Sequence, residues 1–222
     1  MKHRSHSWHR LTTLVAITSV LAIVACTWNE LDRRIQGIWH APGAWWGKQA
    51  TLHHYSAEVA LWSDEFGLPT EYFLALIQLE SGGRKPAGHR FEPHVFERLQ
   101  SVRDGRLAHY ENITQQDIAE ASDEALKNMA TSWGPFQLMG YKCVLLDVQI
   151  RDLRGEDAIQ SGMTWINMTY GDLLRQGKFQ DAFHLHNTGK PYPQQGPPTT
   201  FHPDYVERGM DYMRKFEHHA SE

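Results

Sequence analysis

The chain has 222 residues, 41% of them hydrophobic, which is enough for one good-sized domain with a buried core. Its formal charge of -4 and sequence pI near 6.4 supply no strongly basic surface, and this argues against nucleic acid as a partner. Aromatic residues make up 11%, including eight Trp and eight Tyr, and flat rings of this kind pack in cores or stack on the apolar faces of sugars.

Residues 1–25 open with Lys2, Arg4 and Arg10 and continue into an uncharged apolar run over 11–25. A basic head followed by such a run reads as an export signal, and the run is shorter than the roughly 20 residues that a bilayer-spanning helix needs. It closes on Ile23-Val24-Ala25-Cys26, which resembles the lipobox of bacterial lipoproteins, where the cysteine is lipidated and becomes the mature N-terminus. Ordinary cleavage and an uncleaved anchor are the alternatives. The expected location is the periplasm or cell envelope, with membrane attachment if Cys26 is modified; secretion is the other outcome. The second cysteine, Cys143, lies in the run YKCVLLDV and reads as a buried free thiol. Residues 26–52 scatter Gly37, Pro42, Gly43 and Gly47 among Trp28, Trp39, Trp45 and Trp46 without a helical or strand period. A tether is expected there, and the folded domain over 53–222.

Ser56 is placed to cap a helix running to about residue 66, with Gly67-Leu68-Pro69 as its stop. Thr70 caps a second helix, in which Phe73, Leu76, Ile77 and Leu79 form a broad apolar face and Ser81-Gly82-Gly83 ends the run. Glu80 therefore falls in the last turn of a buried helix, where the negative end of the dipole and apolar neighbours raise a carboxyl's pKa. Residues 84–121 are less regular, and short helices and loops are expected with Phe91, Val95, Phe96 and Leu99 turned inward. Ser122 or Asp123 begins another short helix, and the segment PFQLMG after Gly134 reads as one or two buried helical turns. Helical periodicity returns over 156–176, through Ile159, Met163, Ile166, Met168 and Leu173, and again over 179–186. Residues 188–203 are too rich in Pro and Gly for regular structure. Pro203 fits the first position of a last helix over 204–218, with Val206, Met210, Met213 and Phe216 on its inner side. With no internal repeat and no alternating strand pattern, the domain reads as mainly α.

Four segments place polar residues where a core alone would want apolar ones: LESGG at 79–83, FEPHVFERL at 91–99, SWGPFQLMG at 132–140 and HNTG at 186–189. In this order they resemble the N-acetylmuramidase family of phage endolysins and bacterial wall enzymes, within the lysozyme-like superfamily. In that family a helix ends in a catalytic Glu followed by Ser-Gly-Gly, a second block reads Phe-Glu-x-His-x-Phe, and a third reads Ser-Trp-Gly-x-Phe-Gln-x-Met-Gly. The resemblance extends over residues 70–216, and its third block is the most specific. The fourth block departs from the pattern, because His186-Asn187-Thr188-Gly189 stands where the family and the related lytic transglycosylases tend to have Tyr-Asn-Gly. The resemblance implies a two-lobed helical domain with a substrate groove and a glycan strand of peptidoglycan as partner. The bond cut would be the β-1,4 link between N-acetylmuramic acid and N-acetylglucosamine. A monomer that needs no metal or organic cofactor is expected.

Cleaving a glycosidic bond needs a carboxylic acid to protonate the leaving oxygen and a group to satisfy the oxocarbenium-like carbon. Glu80 is the expected acid, and Glu92 the candidate base or water-positioner, with an ordering role in the 84–100 segment as its alternative. Without Glu92, Glu80 would act alone and the sugar's own 6-hydroxyl would attack, as in lytic transglycosylases. Gln137 could bond a sugar acetamido group, Ser81 could orient Glu80 or close the helix, and Trp133 could stack on a sugar or be buried. Asn187 and Tyr205 are further groove candidates. Two rival readings stand beside this one. HRFEPH places His89, Glu92 and His94 close together, but Pro93 breaks the helix that a zinc-protease spacing requires. A non-catalytic wall-binding lipoprotein would use the same groove only to grip glycan.

Overall fold

The computed structural model describes residues 46–217, so the expected export signal, Cys26 and the tether up to residue 45 lie outside the described residues. The first helix, α1, spans Gly47–Phe66 and takes in residues 47–52 of the expected tether, instead of starting at Ser56. Its buried residues are Ala50, Thr51, Tyr55, Val59 and Ser63, a stripe at helical spacing in which Thr, Tyr and Ser mask the apolar period. Ser56 sits inside it and donates its hydroxyl to the Leu52 carbonyl at 2.6 Å, the back-bond of a mid-helix serine. Gly67, in the left-handed conformation, ends the helix.

Helix α2, Thr70–Ser81, is buried without a break from Tyr72 to Ile77. Six consecutive buried residues cover every side of a helix, so α2 is the central rod of the domain, and α1 and the last helix pack on it most extensively.

The middle of the chain is a mixed region. Strand β1 (Arg90–Phe91) leads into α3 (Pro93–Arg103), which opens on a proline and turns Val95, Leu99 and Val102 inward. A small hairpin, β2 (His109–Tyr110) with β3 (Ile113–Thr114), precedes α4 (Gln115–Ile118) and α5 (Asp123–Met129). Ser122 caps α5 by accepting the Ala125 N–H at 3.1 Å.

The segment expected as buried helical turns is instead a β-hairpin. β4 (Thr131–Trp133) and β5 (Leu138–Met139) run antiparallel, with Ser132 opposite Met139 and Trp133 opposite Leu138. β1 pairs on the other edge of β4, giving the sheet order β1-β4-β5. Two residues decide the turn. Gly134 (φ 72) and Gln137 (φ 49) take left-handed conformations, and a Cβ on Gly134 would meet the Leu153 carbonyl at 2.1 Å.

The remainder is helical. Helix α6 (Lys142–Leu146) carries Cys143 as a buried free thiol, and a 3-10 turn (Ile150–Leu153) leads to α7 (Ala158–Arg175). Helix α7 departs from helical geometry at Tyr170 (φ -147, ψ 21). Helix α8 (Phe179–Thr188) ends at the left-handed Gly189, and α9 (Tyr205–Glu217) buries Val206, Met213 and Phe216 as its pattern predicts, with Pro203 just ahead of it. The chain is mainly α, with short strands confined to its middle.

Two larger apolar clusters and one small one fill the interior. The first unites α1, α2, α7, α8 and α9; the second joins α3, the β2–β3 hairpin, α4 and α5. The β4–β5 hairpin crosses between them: Phe136 at its tip belongs to the first, while Met139 packs on the second. Among the described residues, no helix is long and apolar enough to cross a membrane.

Candidate active site

Glu80 lies in the last turn of α2, with its side chain 16% exposed. The end of that helix is held from outside. Gly82 takes the left-handed cap conformation, and the segment after it is clamped by α1. The Gly47 N–H donates to the Gly82 carbonyl at 3.2 Å, His54 Nδ1 to the Gly83 carbonyl at 2.8 Å, and the Tyr55 hydroxyl to the Arg84 carbonyl at 2.5 Å. Arg84 Nε closes the set by donating to the Ser81 carbonyl at 2.9 Å. The segment that follows Glu80 is thus fixed to α1, and of the last-turn carbonyls of α2 those of Gln78 and Ser81 are bonded by the Gly82 N–H and by Arg84. Gly83 lets the two elements meet, since a Cβ there would lie 2.4 Å from Thr51 Oγ1.

The Glu80 carboxyl meets residues from two other elements. Tyr205, the first residue of α9 and 5% exposed, donates its hydroxyl to Glu80 Oε1. His186, in the last turn of α8, places Nε2 3.9 Å from the same oxygen. That contact is not an ion pair. His186 Nε2 is 3.0 Å from the Phe136 carbonyl, to which only an N–H can bond, and Nδ1 is 2.7 Å from the Tyr170 hydroxyl. Nε2 therefore carries a hydrogen and donates to Phe136, and in the neutral ring, which burial favours, Nδ1 accepts from Tyr170. Burial pushes its pKa down to about 4, although the Phe136 carbonyl opposes the shift.

Burial acts on Glu80 in the opposite direction. Desolvation raises its carboxyl to about 7, against which the Tyr205 hydrogen bond pulls downward. The Tyr205 hydroxyl holds Oε1 and so orients the carboxyl, while desolvation favours its protonated form. That is the arrangement of a general acid with one oxygen oriented and the other free to deliver.

The remaining expected residues divide. Asn187 accepts the Phe201 N–H on Oδ1 at 3.3 Å, and its side chain also reaches the Tyr205 hydroxyl, so it joins the site. Glu92 is ion-paired, with Arg90 Nε on Oε1 at 2.9 Å and His94 Nδ1 3.7 Å from Oε2. The Arg90 guanidinium also lies 5.9 Å from the centre of the Phe201 ring. A line of contacts therefore runs from Glu80 through Tyr205, Asn187, Phe201 and Arg90 to Glu92.

Three expected residues are engaged elsewhere. Ser81 does not orient Glu80; its buried hydroxyl donates back to the Ile77 carbonyl at 2.9 Å and closes the helix. Gln137 has both amide hydrogens committed, to the Gly88 carbonyl at 2.8 Å and the Gly134 carbonyl at 2.9 Å, and its Oε1 accepts from Ser132 at 3.0 Å. It is a brace between the hairpin and the loop after α2, with no donor left for a sugar. Trp133 is 9% exposed, its N–H goes to the Asn128 carbonyl, and His89 and the Arg154 guanidinium cover its ring, so it is no platform. With its ring stacked on Trp133, His89 does not join Glu92 and His94, and among the described residues no group of three or more His, Cys, Asp or Glu is placed to share a metal ion.

The sequence reading missed Tyr170 and Arg90 and took His186 only as an exchanged aromatic. Position 186 did carry a signal: a histidine in the slot of a tyrosine still offers a ring with a polar edge, which here fixes Tyr170 and Phe136 beside the acid.

No protein-family model matches this chain, and no curated protein matches it. Among solved structures, the crystal structure of the Burkholderia AP3 phage endolysin is similar, with a TM-score of 0.49 and 18% identity over 74% of this chain and 71% of that one.

Proposed function

We propose that the protein cleaves the glycan strand of peptidoglycan at the β-1,4 bond between N-acetylmuramic acid and N-acetylglucosamine, with Glu80 as the general acid. The observation that carries this reading is the Glu80 carboxyl itself, desolvated so that its proton is retained to about pH 7 and oriented by Tyr205. Support comes from the motif blocks: LESGG supplies Glu80, SWGPFQLMG supplies the Phe136 carbonyl, and HNTG supplies His186 and Asn187, which meet around one carboxyl.

In this mechanism Glu80 Oε2 passes its proton to the glycosidic oxygen as the C–O bond breaks, and the bonding electrons leave with that oxygen. Water then attacks the oxocarbenium-like carbon and gives up a proton to Glu92. A second route has its own support. Arg90 and His94 both engage Glu92. If these partners keep Glu92 from acting as a base, the sugar's 6-hydroxyl attacks, its proton returns to Glu80, and an anhydro-sugar forms. The N-terminal sequence favours export with lipid attachment at Cys26, so that the enzyme works from the envelope. Labelling with a tritiated fatty acid, lost in Cys26→Ala, tests that part.

Mass spectrometry of products from purified wall decides the reaction. Reducing-end muropeptides are expected for the hydrolase and anhydro-muropeptides for the second route, both absent with Glu80→Gln. Products with intact glycan and cut peptide would overturn the proposal.

A further inference from the structure

The segment between α8 and α9 is tied down at Lys190 and again at residues 199–201, yet it presents one large apolar side chain to solvent. Buried His184 fixes its start, donating from Nδ1 to the Lys190 carbonyl at 3.0 Å and accepting the Thr199 N–H on Nε2 at 3.2 Å. Thr200 bonds the His202 carbonyl at 2.7 Å, and Asn187 takes the Phe201 N–H. Between these ties the Phe201 ring is 77% exposed. An exposed apolar ring on a pinned backbone is pre-organised for a ligand, because no loop has to be ordered when the ligand arrives. Its position narrows the choice of ligand. The anchoring Asn187 also reaches the Tyr205 hydroxyl, which bonds Glu80, so Phe201 sits one residue beyond the acid's own hydrogen-bond network. Arg90 lies beside the ring, and with Nε on Glu92 its two terminal NH2 groups are the donors it can offer.

We propose that Phe201 and Arg90 form a saccharide subsite next to Glu80. The Phe201 ring stacks on the apolar face of one N-acetylated pyranose, and Arg90 donates to the oxygen substituents of the same ring. The chemistry matches on both counts, since a pyranose presents C–H groups to an aromatic face and acetamido, hydroxyl or carboxylate oxygens at its edge. This rests on the glycan reading of Glu80, but it can be tested separately from it.

The test compares pelleting of the full chain with purified peptidoglycan in the Glu80→Gln background, with and without Phe201→Ala, and wall-cleavage kinetics for Phe201→Ala, Phe201→Trp and Arg90→Ala in the active chain. Phe201→Ala is expected to weaken retention at least fivefold and to raise KM with kcat little changed. Phe201→Trp should preserve both, and Arg90→Ala should fall between. Leu61→Ala, which removes an exposed apolar side chain from α1, should alter neither. Thermal melting of each variant shows that an exposed ring has been removed without loss of fold. Wild-type cleavage that Phe201→Ala leaves unchanged overturns the subsite and spares the assignment of Glu80. If the wild type cuts no glycan the assignment of Glu80 fails, while retention that ignores Phe201, or no retention at all, overturns the subsite on its own.

Discussion

Glu80 keeps its proton because the folded chain strips water from it more completely than the Tyr205 hydroxyl compensates. A carboxyl raised in the fold from its ordinary 4.5 to about 7 destabilises the folded state wherever the unfolded chain would ionise it. The penalty is absent below pH 4.5, grows as pH rises, and is complete above 7, where it amounts to about 3 kcal/mol. Glu80→Gln is therefore expected to abolish turnover, by roughly 1,000-fold, while raising stability by a similar few kcal/mol at pH 8 and by little at pH 4; denaturant melts at both values check this. Wall cleavage by the wild type should decline as pH rises through about 7. Tyr205→Phe removes a bond that favours the ionised form, so that decline should move to higher pH, a shift that simple misfolding would not produce. On the acid side, His186 charges as pH falls through about 4 and can no longer accept from Tyr170, so activity should fall there as well. Of this set, position 80 was legible in the sequence, because LESGG puts a carboxylate at the end of an apolar helix. Tyr205 was legible only as a groove candidate, and Tyr170 and His186 were not legible as companions of Glu80, since the three come from different helices whose relative placement no local pattern encodes.

At the level of elements, the first turns of α1 do more than lead into the domain. Gly47, His54 and Tyr55 hold the three carbonyls that follow α2, so Tyr55→Phe should cost about 1 kcal/mol and widen the range of Glu80 positions. Gly83→Ala should cost roughly 2 kcal/mol, because its φ is positive and Thr51 occupies the space a Cβ needs. Gln137 gives a sharper contrast. As a brace, Gln137→Ala should lower stability by about 1–3 kcal/mol, leaving the Gly88 carbonyl without its side-chain donor while the Gly134 carbonyl keeps the backbone N–H of residue 137, and KM for wall should stay near the wild-type value. A large KM change at unchanged stability would restore it as a sugar ligand. These elements were the least legible. The buried face of α1 is built from Ala, Thr, Tyr and Ser, which conceals its period, and strands of two or three residues such as β4 and β5 are too short for alternation to show. The apolar run PFQLMG therefore looked helical, although Gly134 and Gln137 turn it back.

In the molecule as a whole, the site is assembled on the larger apolar cluster. Helices α2, α8 and α9 of the larger cluster supply Glu80, His186 and Tyr205, and the β4–β5 tip reaches across to place the Phe136 carbonyl on His186. The mainly helical class and the order of the four polar blocks were legible from periodicity and motif. Their convergence was not, because it depends on long-range packing around a central helix buried on all sides. The proposed function depends on the protonation of one carboxyl. Carbon-13 NMR of the side-chain carboxyls, with the Glu80 signal assigned by its loss in Glu80→Gln, measures that directly across pH 3 to 9. A midpoint near 7 is expected, and a midpoint near the 4.5 of an unperturbed glutamate would contradict the account.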